Sequence, residues 1–258
     1  MTARVGAPAG PDHQRRIACA IHQPNFFPRL TTLLKIALAD AWVLLSRVQF
    51  ARRDYQHRCL IAPYRDARAL RWCTVPVHAP QGRSTLVENL EVAHPEETAR
   101  RVSRTMALHY SRSPGWPCIE PVIDTTAAAI RRGHFIDAVG QTGTALLHLG
   151  GWKGDAISDL GFDVSEERSE RLADLAVAAR ASEYICGAGG RAYLRVEPFD
   201  RRSLGVSFFR SHALVERWGV SEPSRRSALD LVCRFGVSWL QDEIGAALDA
   251  REALLDRS

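Results

Sequence analysis

The segment from residue 17 to residue 46 alternates apolar runs with polar turns, and this alternation constrains the fold more than any other feature of the chain. Residues 17–22 and 41–46 are apolar runs of strand length, and residues 29–39 between them place their leucines largely along one helical face. A strand, a helix and a strand in this order imply parallel pairing through a right-handed crossover. Because the second run is too apolar to be half-exposed, we expect a central strand that is covered on both faces.

Later segments extend this pattern. Further strands are predicted over 71–77, 86–92, 183–186 and 205–209, and helices over 95–110, 118–132, 135–149, 165–180, 224–235 and 237–254. The order predicts an α/β fold in which helices flank a mostly parallel sheet, with a helical insertion at about residues 95–150 in the middle of the chain. We expect a single domain over residues 17–258, after a disordered lead over residues 1–16.

The bulk composition is that of a globular protein, with 258 residues of which 46% are hydrophobic and 24% charged. No apolar run approaches the ~20 residues of a membrane span, and residues 1–16 lack the apolar core of a secretion signal. We therefore expect a cytoplasmic protein with no membrane partner. The six cysteines show no CxxC spacing and the nine histidines no metal-ligand spacing, so the sequence predicts neither a metal nor a cofactor. If a cysteine is a nucleophile, Cys59 and Cys186 are the candidates, since both flank polar loops.

The basic residues are unusual, because Lys35 and Lys153 are lysine and the other 32 of 34 are arginine. The formal net charge is +5. Coding bias in a GC-rich genome is one explanation, and an acidic partner or substrate is the other. Arginine holds oxyanions through paired hydrogen bonds, which would suit a small or carrier-bound anionic substrate, an acidic carrier protein or a partner subunit. No RNA-binding signature accompanies the charge, so nucleic acid is not the expected partner.

Three polar side chains follow the first predicted strand where it meets the helix N-terminus, namely His22, Gln23 and Asn25. Ligands of open α/β folds bind at such a place. A histidine there can act as a general base near neutral pH, and amide groups can bind a carboxylate, an amide or a carbonyl group. The alternative is that His22 is a hydrogen-bonded core residue and Asn25 a turn residue.

A second polar set follows the second strand. It consists of Gln49, Arg52, Arg53, Gln56, His57 and Arg58. Such a density of hydrogen-bond donors suits an oxyanion or a carboxylated substrate. A solvated charged loop is the alternative interpretation.

A third candidate is the glycine-rich turn at residues 187–190, which is followed by Tyr193. A strand that leads into glycines lets the backbone approach a ligand closely, so Gly189, Gly190 and Tyr193 are candidate substrate ligands. The turn matches neither a P-loop nor a dinucleotide-binding fingerprint, and a simple tight turn is the alternative. Isolated polar residues, for which a structural role is simpler, are His109, Tyr110, Ser158, Asp159 and His212.

Together these sets resemble the pattern of the WbqC-like family. Residues 21–28 match its opening segment, Ile-His-Gln-Pro-Asn-aromatic-Phe-Pro, which is quite specific. The weaker matches are Val48-Gln49-Phe50, Arg53, Gln56, Arg58, the Thr-Val-Pro-Val run at 74–77, Gly187, Gly189, Gly190, Tyr193, Ser227, Leu229 and Asp230. The resemblance covers nearly the whole chain after residue 16.

Four positions depart from the family pattern. Ser46 and Arg47 stand where relatives often carry two aspartates, and His57 and Cys59 replace asparagines. The loss of two negative charges and the gain of one positive charge would shift the pocket toward anionic ligands.

The resemblance implies a biosynthetic role. Relatives lie in bacterial surface-polysaccharide clusters, where a glycine (aminoacyl) transferase role has been suggested, and similar proteins occur in natural-product pathways that use amino-acid-derived, carrier-bound substrates. One reaction considered there is the displacement of sulfate by an amine to close an aziridine ring.

We therefore expect a metal-independent enzyme that forms a C–N bond by amine attack on an activated acyl group or on a carbon bearing an anionic leaving group. His22 and Arg53 are the predicted catalytic residues. His22 would accept the amine proton, and Arg53 with Arg58 would neutralise the carboxylate or the leaving group. Gln23, Asn25 and Gln49 would orient the amino-acid part, and Gln56 is a further predicted substrate ligand. The alternatives are a non-catalytic protein that docks an acidic carrier and an RNA-dependent aminoacyl (glycyl) transferase.

Overall fold

The computed structural model describes residues 17–211, 214 and 218–258, so the expected lead over 1–16 and His212 lie outside the described residues. The helices are α1 Leu30–Ala37, α2 Pro95–Tyr110, α3 Trp116–Arg131, α4 Phe135–Leu149, α5 Arg168–Ala178, α6 Glu197–Asp200, α7 Ala228–Phe235, α8 Val237–Asp249 and α9 Arg251–Leu254. The strands are β1 Ala18–His22, β2 Ala41–Leu44, β3 Arg58–Ile61, β4 Arg71–Thr74, β5 Val77–His78, β6 Glu91–Val92, β7 Asp155–Ser158, β8 Glu183–Gly187, β9 Gly205–Phe209 and β10 Leu255–Arg257.

A six-stranded sheet in the order β10-β9-β8-β1-β2-β7 forms the centre of the fold. All of its pairings are parallel except that of β10 with β9. The predicted α/β fold with a mostly parallel sheet is therefore confirmed. No helix among the described residues has the length and apolar character needed to cross a membrane.

Helices cover both faces of this sheet because the side chains of its strands alternate between two apolar clusters. In β1, Ala18 and Ala20 belong to the larger cluster, which includes buried residues of α1, α4 and α8. Cys19 and Ile21 belong to the smaller cluster, which includes buried residues of α5. β2 is likewise buried at Trp42 on one side and Val43 on the other, as expected for a central strand.

The strand order reverses between β1 and β8. From β1 the chain runs through α1 to β2 on one side, whereas β8 pairs with the other side of β1 and is followed by β9 farther out. The loops that follow the two adjacent strands therefore leave in opposite directions and open a crevice at the carboxyl ends of the strands, which is where open α/β sheets bind ligands.

The helical insertion is formed by α2, α3 and α4, which lie between β6 and β7 in the chain. Its last helix reaches the loop after β1, because Thr142 Oγ1 accepts a hydrogen bond from Phe27 N at 3.0 Å and lies 3.2 Å from Asn25 O. Gly143 packs closely against the Trp42 ring, and an added Cβ would lie 2.7 Å from it. The insertion thus helps to fix the loop that carries the first candidate residues.

Several predicted boundaries differ from the structure. The strand predicted over 71–77 is divided, because Pro76 separates β4 from β5 and the two strands pair in different small sheets. The loop predicted to run through Arg58 ends where β3 begins and pairs with β4. The helix predicted from residue 165 begins at Arg168, since the Glu167 side chain caps it by accepting a hydrogen bond from Glu170 N.

A buried ionic cluster ties α7 to the rest of the molecule. Asp230 has no solvent exposure, and its carboxylate accepts hydrogen bonds from Arg226 Nη1 at 2.6 Å, Tyr110 Oη at 2.5 Å and Ala62 N at 3.1 Å. Arg234 Nε adds a contact at 3.2 Å. One carboxylate therefore joins α7, the end of α2 and the chain just after β3.

Candidate functional site

The crevice between the loops that follow β1 and β8 consists of two adjoining hollows, of about 210 and 390 Å³. The smaller is called the amide hollow, because Gln23 and Asn25 line it, and the larger is called the lysine hollow, because Lys35 lines it. Both hollows share a common wall formed by Ile21, His22, Arg29, Tyr184 and Tyr193. The predicted residues His22, Gln23, Asn25, Gly189, Gly190 and Tyr193 all line this crevice.

His22 ends β1 and lies between the two hollows. Its Nδ1 is 2.7 Å from the carbonyl oxygen of Gln23, which can only accept, so Nδ1–H donates and Nε2 is left as an acceptor. Burial, followed by the positive charges of Lys35 and Arg29, lowers the pKa of His22 to about 3. The imidazole is therefore neutral at physiological pH and binds a proton weakly, but it can accept a hydrogen bond.

Two side-chain amides face the amide hollow. Gln56 is buried and fixes Gln23, because its Nε2 donates to Gln23 Oε1 while its Oε1 accepts from Ala51 N at 2.8 Å. The Nε2 group of Gln23 donates to no other residue that the structure describes. The Asn25 side chain is 4% exposed and makes no hydrogen bond with any other residue that the structure describes. These two amides are thus available to a ligand.

Positive charge dominates the lining of the crevice. The cationic residues are Arg29, Lys35, Arg168 and Arg171, whereas the one lining carboxylate within the described part of the chain is that of Asp54. The Arg29 guanidinium lies 4.5 Å from the ring centroid of Tyr55, and its buried Nε has no hydrogen-bond partner within residues 17–211, 214 and 218–258. A buried and unpaired donor of this kind is costly, and an anion bound beside it would remove that cost.

Lys35 also lines the crevice, and our sequence reasoning did not name it as a candidate. It lies on α1, is 4% exposed and lines the lysine hollow. In residues 17–211, 214 and 218–258 no carboxylate lies within salt-bridge distance of its amine. Burial lowers the pKa of Lys35 to about 8, and the charge of Arg29 acts in the same direction. The available signal was a lone lysine within an otherwise apolar helical run, in a chain that has only one other lysine.

The glycine-rich segment after β8 forms the far wall of the lysine hollow. It is a turn of 3₁₀ helix over residues 188–192. Gly190 packs so closely on Cys186 that an added Cβ would lie 2.1 Å from its Sγ, whereas Gly189 faces open space. Tyr193 is 40% exposed, and the Arg168 guanidinium lies 3.3 Å from its ring centroid.

Gln49, Arg53 and Arg58 do not line the crevice. The Gln49 side chain donates to the carbonyl oxygen of Arg83, and Arg53 is exposed. Arg58 lies 4.1 Å from the ring centroid of Trp72 and donates to the carbonyl oxygens of Arg53 and Asp54. We call Arg52, Arg53, Arg58 and Trp72 the arginine rim. The catalytic role of Arg53 and the roles of Gln49 and Arg58 as substrate ligands stay predictions.

Several other candidates have structural partners. Asp159 accepts hydrogen bonds from the backbone N–H groups of Ser46 and Arg47 at 2.9 and 3.0 Å, and so holds the chain just after β2. Tyr110 belongs to the Asp230 cluster. Cys59 is fully buried, and burial raises its pKa, which disfavours a nucleophilic thiolate.

Comparison with known families shows where this chain belongs. The model of the WbqC-like protein family matches residues 23–231, a span that includes both loops of the crevice. The chain belongs to the WbqC-like protein family. This WbqC-like protein is also 26% identical over 227 residues to "Uncharacterized protein Rv1507c" of Mycobacterium tuberculosis (strain ATCC 25618 / H37Rv), covering 84% of this chain and 93% of the mycobacterial protein. No solved structure matches the WbqC-like chain significantly.

Proposed function

We propose that this WbqC-like protein is a biosynthetic enzyme that forms a C–N bond on an anionic, amino-acid-derived substrate in the crevice between β1 and β8. An amine attacks either an activated acyl group or a carbon that bears an anionic leaving group such as sulfate. The reaction would serve natural-product or surface-polysaccharide biosynthesis. The observation that carries the proposal is the meeting, in one crevice, of excess positive charge, two free amides and a lysine with a lowered pKa.

Each group in the crevice has a role in this reaction. Arg29 binds the carboxylate or the departing anion, because its buried Nε lacks a hydrogen-bond partner among the residues that the structure describes. Gln23 and Asn25 orient the amino-acid part of the substrate. The neutral His22 accepts a hydrogen bond from the attacking amine through Nε2. Lys35 in its free-base form accepts the proton that the amine releases.

The two versions of the reaction differ in the bond that breaks. In ring closure, the amine nitrogen attacks the carbon that carries the sulfate, the C–O bond breaks with its electron pair, and sulfate leaves. In acyl transfer, the amine attacks the carbonyl carbon and an alkoxide or thiolate leaves. In both versions the new ammonium group loses its proton to Lys35, so the same residues serve either substrate.

Two probes test the proposal and distinguish ring closure from acyl transfer. O-sulfo-L-serine would release sulfate and form aziridine-2-carboxylate, whereas S-glycyl-N-acetylcysteamine with an amino-acid acceptor would release a free thiol. We expect turnover of one probe, and Arg29→Gln to lower kcat/KM about 100-fold. Arg132→Gln, at an exposed arginine just beyond α3, is the matched control and should change nothing. Equal rates with wild type and Arg29→Gln for both probes would contradict the proposed site.

A second candidate function is the docking of an acidic carrier protein on the arginine rim. Arg52 and Arg53 are exposed and pair with no carboxylate among the residues described. Trp72 is 37% exposed and lies under the Arg58 guanidinium, which donates to the carbonyl oxygen of Arg53. Exposed arginine and tryptophan are frequent anchors of protein interfaces. Carrier docking through exposed charge would weaken steeply as ionic strength rises.

We expect the double variant Arg52→Glu/Arg53→Glu to bind an acidic acyl carrier protein about tenfold more weakly than wild type at low salt. Turnover of the free probes separates docking from the catalytic role predicted for Arg53. It should be retained, because Arg52 and Arg53 do not line the crevice, and a loss would favour that catalytic role instead. Fluorescence anisotropy of a labelled carrier measures the affinity. Arg100→Glu/Arg104→Glu on α2 makes the same charge change elsewhere, and an equal loss of affinity there would argue against a defined rim.

A further inference from the structure

The surroundings of the Lys35 amine suit a second role besides accepting a proton. It is enclosed by the fold, it opens on a hollow of about 390 Å³, and no aspartate or glutamate is among the residues described as lining that hollow. We propose that Lys35 is a nucleophilic amine that forms an imine with a small aldehyde or ketone bearing a carboxylate, bound in the lysine hollow.

The groups that face Lys35 favour a free amine over a held ammonium ion. Arg29 from the loop after β1 adds positive charge, and His22 at the end of β1 is neutral. The thiols of Cys19 on β1 and Cys186 on β8 act in the opposite direction and raise the pKa of Lys35, but burial is the larger effect and the pKa stays below its ordinary value. A lysine that is desolvated next to another cation, with no carboxylate to hold its proton, is the environment in which lysine becomes a nucleophile at neutral pH.

The lysine hollow also offers a partner for a carboxylate. Arg29 belongs to its wall, and the buried Nε of that residue has no hydrogen-bond partner in the described part of the chain. Hydroxyl groups of Thr31, Thr32 and Ser211 line the same space and can bind other oxygen atoms of the ligand. A carbonyl compound whose carboxylate is held by Arg29 would thus have its carbonyl carbon in the hollow that Lys35 faces.

The covalent step needs no oxidant, reductant or cofactor. The lone pair of the Lys35 amine attacks the carbonyl carbon, and the carbonyl oxygen takes up a proton to give a carbinolamine. Loss of that hydroxyl group as water, together with the remaining proton of the nitrogen, leaves a C=N bond. Reaction with water reverses the sequence and restores the free lysine.

This inference does not depend on the proposed C–N bond formation. It requires only that Lys35 be a reactive amine that a carboxylated carbonyl compound can reach. Imine formation would therefore be detected even if neither probe of the proposed function were turned over, and the two ideas can fail separately.

Reductive trapping tests the inference on the wild-type protein. Glyoxylate and sodium cyanoborohydride at about pH 7.5 convert an imine into a stable carboxymethyl amine, which peptide mass mapping locates. The chain offers an internal control, since its only other lysine is the exposed Lys153. We expect Lys35 to be labelled at least about tenfold faster than Lys153, and to prefer glyoxylate over the neutral aldehyde propanal.

Variants sharpen the test. Lys35→Arg should remove the fast labelling, because guanidinium does not form imines under these conditions, whereas Lys153→Arg should keep it. Arg29→Gln should reduce the preference for glyoxylate over propanal. If Lys153 is labelled as fast as Lys35 in the wild-type protein, or if Lys35 reacts equally with both aldehydes, the proposed site is overturned.

Discussion

The Asp230→Asn variant is expected to unfold with a free energy about 3–5 kcal/mol below that of wild type. The substitution keeps the shape of the side chain but removes the charge that faces Arg226, which has no solvent exposure. A buried guanidinium without its carboxylate still carries the cost of desolvation but loses the attraction that offsets this cost. Urea denaturation monitored by fluorescence measures the difference from the midpoint and the slope.

Asp174→Asn provides the matched control for this prediction. Asp174 also pairs with an arginine, Arg202, but both side chains retain about a quarter of their exposure, at 23% and 27%. Ion pairs that water still reaches contribute less than fully buried ones, so this variant should lose clearly less stability than Asp230→Asn. An equal loss of unfolding free energy in the two variants would show that burial does not determine how much the Asp230 cluster contributes to stability.

The Lys35→Met variant is expected to lower turnover of the accepted probe by about 10²–10⁴-fold, the usual contribution of a positioned general base. The sign of the pH dependence follows from the pKa. Lys35 accepts a proton only as the free base, so wild-type turnover should rise with pH up to a pKa of about 8 and level off above it. The residual turnover of Lys35→Met should lack the inflection near pH 8 and keep only the rise that comes from deprotonation of the substrate amine. Initial rates measured from pH 6 to about 10 give both results.

Lys153→Met is the control, because Lys153 is exposed and does not line the crevice. Its profile should match that of the wild-type protein. Methionine fills much of the space of the lysine stem, and circular dichroism should confirm that Lys35→Met remains folded. A variant that is folded and keeps both the rate and the inflection near pH 8 would remove Lys35 from the mechanism.

Local sequence signals were sufficient to predict the first half of the site. β1, α1 and β2 each have a complete apolar pattern within a few residues, and the crossover rule then fixes their pairing. The polar residues His22, Gln23 and Asn25 lie at or just after the end of β1, so their position at the carboxyl end of the sheet could be inferred. The place of β8 beside β1 was not evident from the sequence, yet it completes the crevice.

The remaining features depend on contacts between distant segments. Lys35 lines the lysine hollow because one side of α1 faces the loop after β8, about 150 residues later in the chain, and helical periodicity alone does not show this. Arg58 turns away from the crevice because β3 pairs with β4 and brings Trp72 beneath its guanidinium. The strands β7 and β10 have only four and three residues and carry exposed polar side chains, which leaves no apolar alternation to detect.

The short strand β10 has a practical consequence for handling the protein. By pairing with β9, Leu255–Arg257 occupies hydrogen-bonding groups of a strand that is buried over most of its length, and Asp256 is held there by Arg191 and Arg210. A protease cut or a bulky fusion at these residues would uncover a flat strand edge, which a second copy can extend by the same hydrogen bonds. Preparations nicked at this point should aggregate more readily than intact ones.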